Sequence, residues 1–138
     1  MPEQTDTAAP CPSSVVTLRS KYNFEATVTR IKAALAERGV TLFADIDQSD
    51  AAAKSGISLR PTRLLLFGNP KAGTPVMEAN PHAALELPLK AVVWEDPASG
   101  VWVDYQDVTK TLELDYKVVP NLIAPLKPMP MLLSAALA

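Results

Sequence analysis

The stretch Arg63-Leu64-Leu65-Leu66-Phe67-Gly68-Asn69-Pro70-Lys71-Ala72-Gly73-Thr74-Pro75 decides how this chain folds. Arg63–Phe67 is a nearly continuous apolar run of strand length, as expected of a central strand buried on both faces. Gly68–Pro75 then holds two glycines, two prolines and an asparagine, which is the chemistry of a loop. Thr74 is placed to cap a following helix with Pro75 at its first position. Gly68 and Gly73 supply half of a phosphate-loop frame. The Lys and Ser/Thr that should follow the second glycine are replaced by Thr74 and Pro75, so nucleotide binding is not expected. A weaker anion site survives in the Lys71 charge, the Thr74 hydroxyl and the N–H groups of Ala72 and Gly73. Against it stands a plainer role, a stiff loop that aims the next helix.

Upstream, Ser14–Ser20 is rich in β-branched residues and fits a first strand. Asn23 offers a cap, and Phe24, Val28, Ile31 and Leu35 form one apolar stripe on a helix that stops at Gly39. Val40–Ile46 is a second strand. Asp47 or Ser49 caps a short alanine-rich helix ending at Gly56, and Leu59–Thr62 connects it to Arg63. Downstream, Val76–Ala79 gives a turn of helix and Pro81 starts another. Leu87–Glu95 and Val101–Gln106 pair through an Asp96–Gly100 hairpin loop. If Glu95 faces Val101, Trp94 lies opposite Trp102. Asp107 caps a last helix to about Tyr116. The order β-α-β-α-β-α-β-β-α predicts an α+β two-layer sandwich, with one mixed five-stranded sheet and helices mainly on one face.

The chain has 138 residues, enough for one domain with a real core. Residues 1–12 are polar and proline-rich and are expected to be a disordered arm carrying Cys11. Residues 13–138 are expected to be the single domain with its proline-rich apolar tail. Thirteen Lys+Arg against fifteen Asp+Glu give a net charge of −2, no footprint for nucleic acid or a membrane surface. One Cys and one His speak against a disulfide framework, a Cys/His zinc site and a Cys–His nucleophile pair, and there is no G-x-S-x-G and no serine that fits a triad. No apolar run reaches the length of a membrane span, and Met1–Pro12 has no apolar signal region. The expected compartment is the cytoplasm, and no cofactor is expected.

Several side chains invite chemistry. Glu78, His82 and Glu86 recur at metal-binding spacing, but Pro81 breaks the helix that would align them. Asp45 and Asp47 point the same way along their strand and could share acid–base work. Lys90 sits in an otherwise apolar strand, where Asp104 of its neighbour would pair with it. The tail residues Leu122, Ile123, Leu126, Met129, Met131, Leu132, Leu133 and Leu137 must cover this chain's own sheet or a partner's, since leaving them in water costs several kcal/mol at ~0.8 kcal/mol per CH₂.

Leu59-Arg60-Pro61-Thr62, Leu66-Phe67-Gly68-Asn69-Pro70-Lys71-Ala72-Gly73-Thr74-Pro75, Leu87-Pro88-Leu89-Lys90 and Val93-Trp94-Glu95-Asp96, in that order, strongly resemble a bacterial and archaeal family catalogued as domain of unknown function 302. The resemblance runs from about Ser14 to Tyr105. It implies a small α+β domain, commonly a homodimer, and no established reaction, cofactor or substrate. Family members carrying Asp-His match Asp47-Gln48 here, and Gln48 cannot do the work of an imidazole.

Together these features point to a non-catalytic, homodimeric module for a small, anionic ligand. Its pocket is expected at the C-terminal end of Arg63–Phe67, bordered by Asn69, Lys71, Thr74, Lys90 and Tyr105. Two alternatives stand beside it. One is a protein-interaction module working through the apolar tail. The other is an enzyme using Asp45 or Asp47 as base with Lys90 or Tyr105 as electrophilic partner.

Overall fold

The computed structural model describes residues 9–138; of the expected N-terminal arm, residues 1–8 lie outside them. Five strands, β1 (Val15–Arg19), β2 (Thr41–Asp47), β3 (Thr62–Gly68), β4 (Leu89–Glu95) and β5 (Val101–Gln106), form one sheet in the order β1-β5-β4-β3-β2. The helices are α1 (Phe24–Glu37), α2 (Gln48–Lys54), α3 (Pro70–Ala79), α4 (Val108–Leu114), α5 (Pro120–Ile123) and α6 (Met129–Leu137), with short 3₁₀ turns at Pro81–Leu85 and Ala124–Leu126. The α+β class and the single sheet are as expected.

The sheet is antiparallel throughout, not mixed. Each connection from β2 onward returns the chain to the end of the sheet that it left. A parallel return must carry the chain back along a whole strand, about 23 Å for seven residues. With seven residues, α2 spans about 10 Å and can only cap one end of the sheet. The ten residues of α3 span about 15 Å, and the 3₁₀ turn at Pro81–Leu85 then brings the chain back to enter β4 beside the end of β3. Only α1, with fourteen residues, matches a strand, at about 21 Å. It joins β1 and β2, which do run the same way, but at opposite edges of the sheet.

Every buried strand residue comes from one face: Leu65 and Phe67 of β3, Leu89, Ala91 and Val93 of β4, Val101 and Val103 of β5. Strand β3 is thus interior to the sheet but buried on one side only, with Leu64 and Leu66 half-buried on the other. Over the buried face lie the α1 stripe Phe24, Val28, Ile31 and Leu35 and the tail residues Leu132, Leu133, Ala136 and Leu137. Asn23 Oδ1 caps α1 by accepting from Ala26 N. Arg30 Nε donates to Ala136 O at 2.7 Å and Tyr22 Oη to Ala138 O at 2.8 Å, tying α6 to α1. A second, smaller core joins Val76, Ala83, Leu112, Val118, Ile123 and Leu126. The tail therefore covers its own molecule.

The hairpin has the expected register, Glu95 against Val101 and Trp94 against Trp102. The two indoles stack with centroids 6.1 Å apart. Asp96 holds the turn: Oδ1 accepts from Ala98 N and Gly100 N, and Oδ2 accepts from Trp102 Nε1, each at 2.8 Å.

Candidate functional site

The segment expected to be a loop, Pro70–Pro75, is the first part of α3. Asn69, not Thr74, is its cap, with Oδ1 accepting from Lys71 N at 2.9 Å and Pro70 at the first helical position. The missing N–H of a first-position proline costs nothing, because the first-turn donors have no partner inside the helix. Pro75 sits later in the helix and deprives one carbonyl of its donor, which a short surface helix tolerates at its exposed side.

This start turns Pro70, Gly73 and Met77, one stripe at helical spacing, toward the end of the sheet. There they meet Phe43, Ala44, Leu66 and Gly68 of β2 and β3, and Leu87, Pro88, Leu89 and Leu126. Between them lies an open groove of about 420 Å³. Two sequence segments build its walls, Gly68-Asn69-Pro70 and Leu87-Pro88-Leu89. These are the same segments that carry the family resemblance. Phe43 bulges out of register between Leu42 and Ala44 and stands 54 % exposed at the groove's edge. A Cβ built on Gly68 would meet its ring edge at 3.5 Å, an ordinary contact, so the ring lies directly beside the strand.

Of the five residues expected at the site, only Asn69 lines this groove. Lys71 and Thr74 project from a neighbouring stripe of α3 and are exposed. Lys90 and Tyr105 border a different recess, with Asp107, Met129 and Leu133, of about 20 Å³. That is room for about one water and no ligand. Burial raises the Tyr105 phenol above its ordinary pKa. Lys90 forms no ion pair with Asp104 among the described residues, and Asp104 Oδ1 is left without a partner. The five thus divide among a groove, a helix flank and a small recess.

The carboxylates do not assemble a reaction centre with Lys90 or Tyr105. Asp45 is held by Arg63 Nε and Nη2 and by Lys32, and the Arg63 hydrogen bonds bring its pKa down to about 2. Asp47 caps α2, accepting from Asp50 N and Ser49 Oγ, and these bonds lower its pKa. Pro81 does break the helix after α3. Glu86 accepts from Tyr116 Oη at 2.8 Å, which raises the phenol's pKa. Among the described residues no three His, Cys, Asp or Glu side chains gather as metal ligands.

Every other lining residue, Phe43, Met77, Leu87, Pro88 and Leu126 among them, is apolar and was not expected at the site. One signal was available: Asn69-Pro70 is as good a cap and helix start as Thr74-Pro75, and choosing it puts Gly73 and Met77 on one face.

A family model described as Domain of unknown function DUF302 matches residues 16–128. The "Fluoride-specific ion channel FluC 1" of Brucella suis biovar 1 (strain 1330) is 35% identical over 95 residues, which are 69% of this chain and 37% of that protein. The protein of the same name from Brucella abortus biovar 1 (strain 9-941) is also 35% identical over 95 residues, 69% of this chain and 35% of its own. The chain spans about a third of the length of these relatives. The crystal structure of an uncharacterized conserved DUF302 protein from Bacillus stearothermophilus superposes with a TM-score of 0.75 at 18% identity, covering 91% of this chain and 97% of that one. That likeness is one of fold.

Proposed function

The chain belongs to the DUF302 family, and from that premise we propose that it is a non-catalytic binding module whose groove takes a small, largely apolar molecule. One observation carries the proposal: the two segments most particular to the family meet as the walls of one apolar groove. At about 420 Å³ it falls within the roughly 300–1,000 Å³ of small-molecule sites. A body of six methylenes buried there gains about 5 kcal/mol before the costs of association. The expected affinity is therefore modest, in the micromolar to millimolar range. The anionic ligand expected from the sequence keeps less support, because Lys71, Thr74 and Lys90 do not converge.

The test is fluorescence of the neutral apolar probe N-phenyl-1-naphthylamine with wild type and Gly73→Leu. A Cβ at Gly73 meets Leu87 Cδ1 at 3.6 Å and Met77 Cε at 4.0 Å, ordinary contacts, so a longer side chain fills the groove without straining the backbone. Leucine also favours the helix over glycine by about 0.8 kcal/mol. Probe enhancement in the wild type and its loss in a variant of equal or higher melting temperature supports the proposal. Equal enhancement in both overturns it.

The Brucella relatives favour a second role, as a domain that accompanies transport of a small anion. They are named fluoride channels, most of their length lies outside the stretch shared with this chain, and no helix among the described residues is long and apolar enough to cross a membrane. Titration of the ¹⁵N-labelled protein with sodium fluoride, against sodium chloride, tests direct sensing. Shifts specific to fluoride support it, and identical spectra in both salts remove it.

We propose further that the homodimer expected from the sequence forms through the sheet face opposite the core. There Leu64, Leu66, Val92, Trp94 and Trp102 are half-buried and Ile46 is exposed.

A further inference from the structure

We infer that the groove's ligand presents a flat aromatic ring, seated with one edge over Gly68 between the side chains of Phe43 and Pro88. The inference rests on the groove being a ligand site and names the class of ligand. The chain has five glycines. Gly39 and Gly56 have φ of +69° and +78°, where a side chain is strained, and a Cβ on Gly100 would strike Asp96 Oδ2 at 2.7 Å. Gly68 and Gly73 have neither reason. Both lie outside the positive-φ region, and a Cβ on either would make only ordinary contacts, at 3.5 Å or more. Each also weakens its element, Gly68 in a strand and Gly73 in a helix. These two, and no other glycine, line the groove. They are the places where its walls lack a side chain that the fold would accept.

At Gly68 the room left has a definite shape. Strand β3 lies between β2 and β4, so Phe43 flanks Gly68 on one side and Pro88, one residue ahead of β4, flanks it on the other. A Cβ there would lie 3.5 Å from Phe43 Cε2 and 3.8 Å from Pro88 Cβ, with no other heavy atom but those of its chain neighbours within 4 Å. Carbon atoms pack at about 3.5–4.0 Å. The notch over Gly68 is therefore one carbon wide, walled on two sides and otherwise open. An aromatic ring standing on edge is one carbon thick. A saturated ring is puckered, carries hydrogens on both faces and is too thick to enter. The ring that does enter pairs with the Phe43 ring, a contact that stabilises beyond the area it buries. No charged side chain lines the groove, so the ring itself is uncharged.

Benzyl alcohol and cyclohexylmethanol differ only in the ring, flat in one and puckered in the other. The saturated ring is the more hydrophobic, so an apolar groove without the notch prefers it. Two-dimensional ¹⁵N–¹H NMR titrations of wild type, Gly68→Ala and Phe43→Leu separate the outcomes. Wild type is expected to bind benzyl alcohol about two- to tenfold more tightly than cyclohexylmethanol, the size of one aromatic pair, with the Gly68 amide among those that shift. Gly68→Ala sets a methyl group in the notch at distances its walls accept. It should melt no lower than wild type and lose the preference. Phe43→Leu, at an exposed position, removes the aromatic wall and should lose the preference too. Should Gly68→Ala fail to fold, Phe43→Leu decides alone. If wild type binds cyclohexylmethanol as tightly or more tightly, or the preference for benzyl alcohol survives in a folded variant, the inference fails while the groove stands as an apolar site. If neither alcohol binds wild type, groove and inference fall together.

Discussion

Replacing Asp45 by asparagine should destabilise the protein at neutral pH and make almost no difference in strong acid. Asp45 and Arg63 are 18 % and 17 % exposed, and they meet as a two-pronged pair, Nε to Oδ1 at 2.8 Å and Nη2 to Oδ2. Lys32 shares Oδ2. Arg63 Nη1 also reaches Glu25 at 3.9 Å. The pair pins edge strand β2 to β3, and Lys32 and Glu25 bring α1 down on both. The Arg63 hydrogen bonds, opposed by burial, bring the Asp45 pKa from an ordinary 3.8 to about 2. A gap of that size corresponds to about 2 kcal/mol of folding stability, which solvent screening at a partly exposed pair reduces to about 1 kcal/mol. The sign follows from the direction. A folded pKa below the unfolded one stabilises fully above pH 4 and is lost as the pH falls toward 2. Urea unfolding of wild type and Asp45→Asn, followed by tryptophan emission, should therefore differ by about 1 kcal/mol at pH 7 and by much less at pH 2. The other depressed carboxyls, Asp47 and Asp96, are common to both proteins and cancel in the difference. An equal difference at the two pH values, or none at pH 7, refutes the reasoning.

Asp96→Ala strips three donors of their acceptor and should cost about 1–3 kcal/mol, with red-shifted Trp102 emission; an unshifted spectrum at unchanged stability contradicts the account of the hairpin. Leu133→Ala, at a fully buried tail position, should cost about 2–5 kcal/mol. Met131→Ala, 77 % exposed on the same helix, should stay within about 0.5 kcal/mol. Equal effects at the two positions would mean that the tail does not pack as described. Sedimentation velocity should show a dimer that Val92→Arg converts to a monomer, and a wild type that sediments as a monomer removes the sheet-face interface.

What could be read in the sequence was set by near neighbours. The α1 stripe follows from a period of 3.6 residues, and all four of its apolar positions are buried. The hairpin register follows from five loop residues between two runs. Strand direction was not legible, because it depends on which end of the sheet each connection returns to, and packing between residues far apart in the sequence sets that. The start of α3 was ambiguous for another reason. Asn69-Pro70 and Thr74-Pro75 offer the same signal five residues apart. The earlier start makes a helix of ten residues that buries Val76 completely. The candidate site was half legible. Of the polar groups expected at the end of β3, Asn69 lines the groove. The rest of the groove consists of residues that look like core in a sequence, and only the fold shows that their apolar surfaces are left facing a gap.

That gap has a structural origin. Helices α1 and α6 fill one core over the sheet, and α3, α4 and α5 close the second beyond it. Because β4 returns antiparallel to β3, the connection through α3 must leave and re-enter at the same end of the sheet, so the two cores abut there instead of merging. Leu87 packs against both clusters, Leu89 belongs to the first and Leu126 to the second, and all three line the groove. The groove is thus a seam that borders both clusters and, through Ala44 and Leu66, opens onto the other face of the sheet. A molecule seated in it touches both and can bind only while both are folded. At a hundred times its dissociation constant it should raise stability by about 2.7 kcal/mol, provided it has no affinity for the unfolded chain. A molecule bound to the exposed flank of α3, beside Lys71 and Thr74, would contact one cluster only. Hydrogen exchange separates the two cases. Occupancy of the seam should slow exchange at buried amides of both cores, Val93 and Leu112 for example, whereas protection confined to α3 would place the ligand outside the groove.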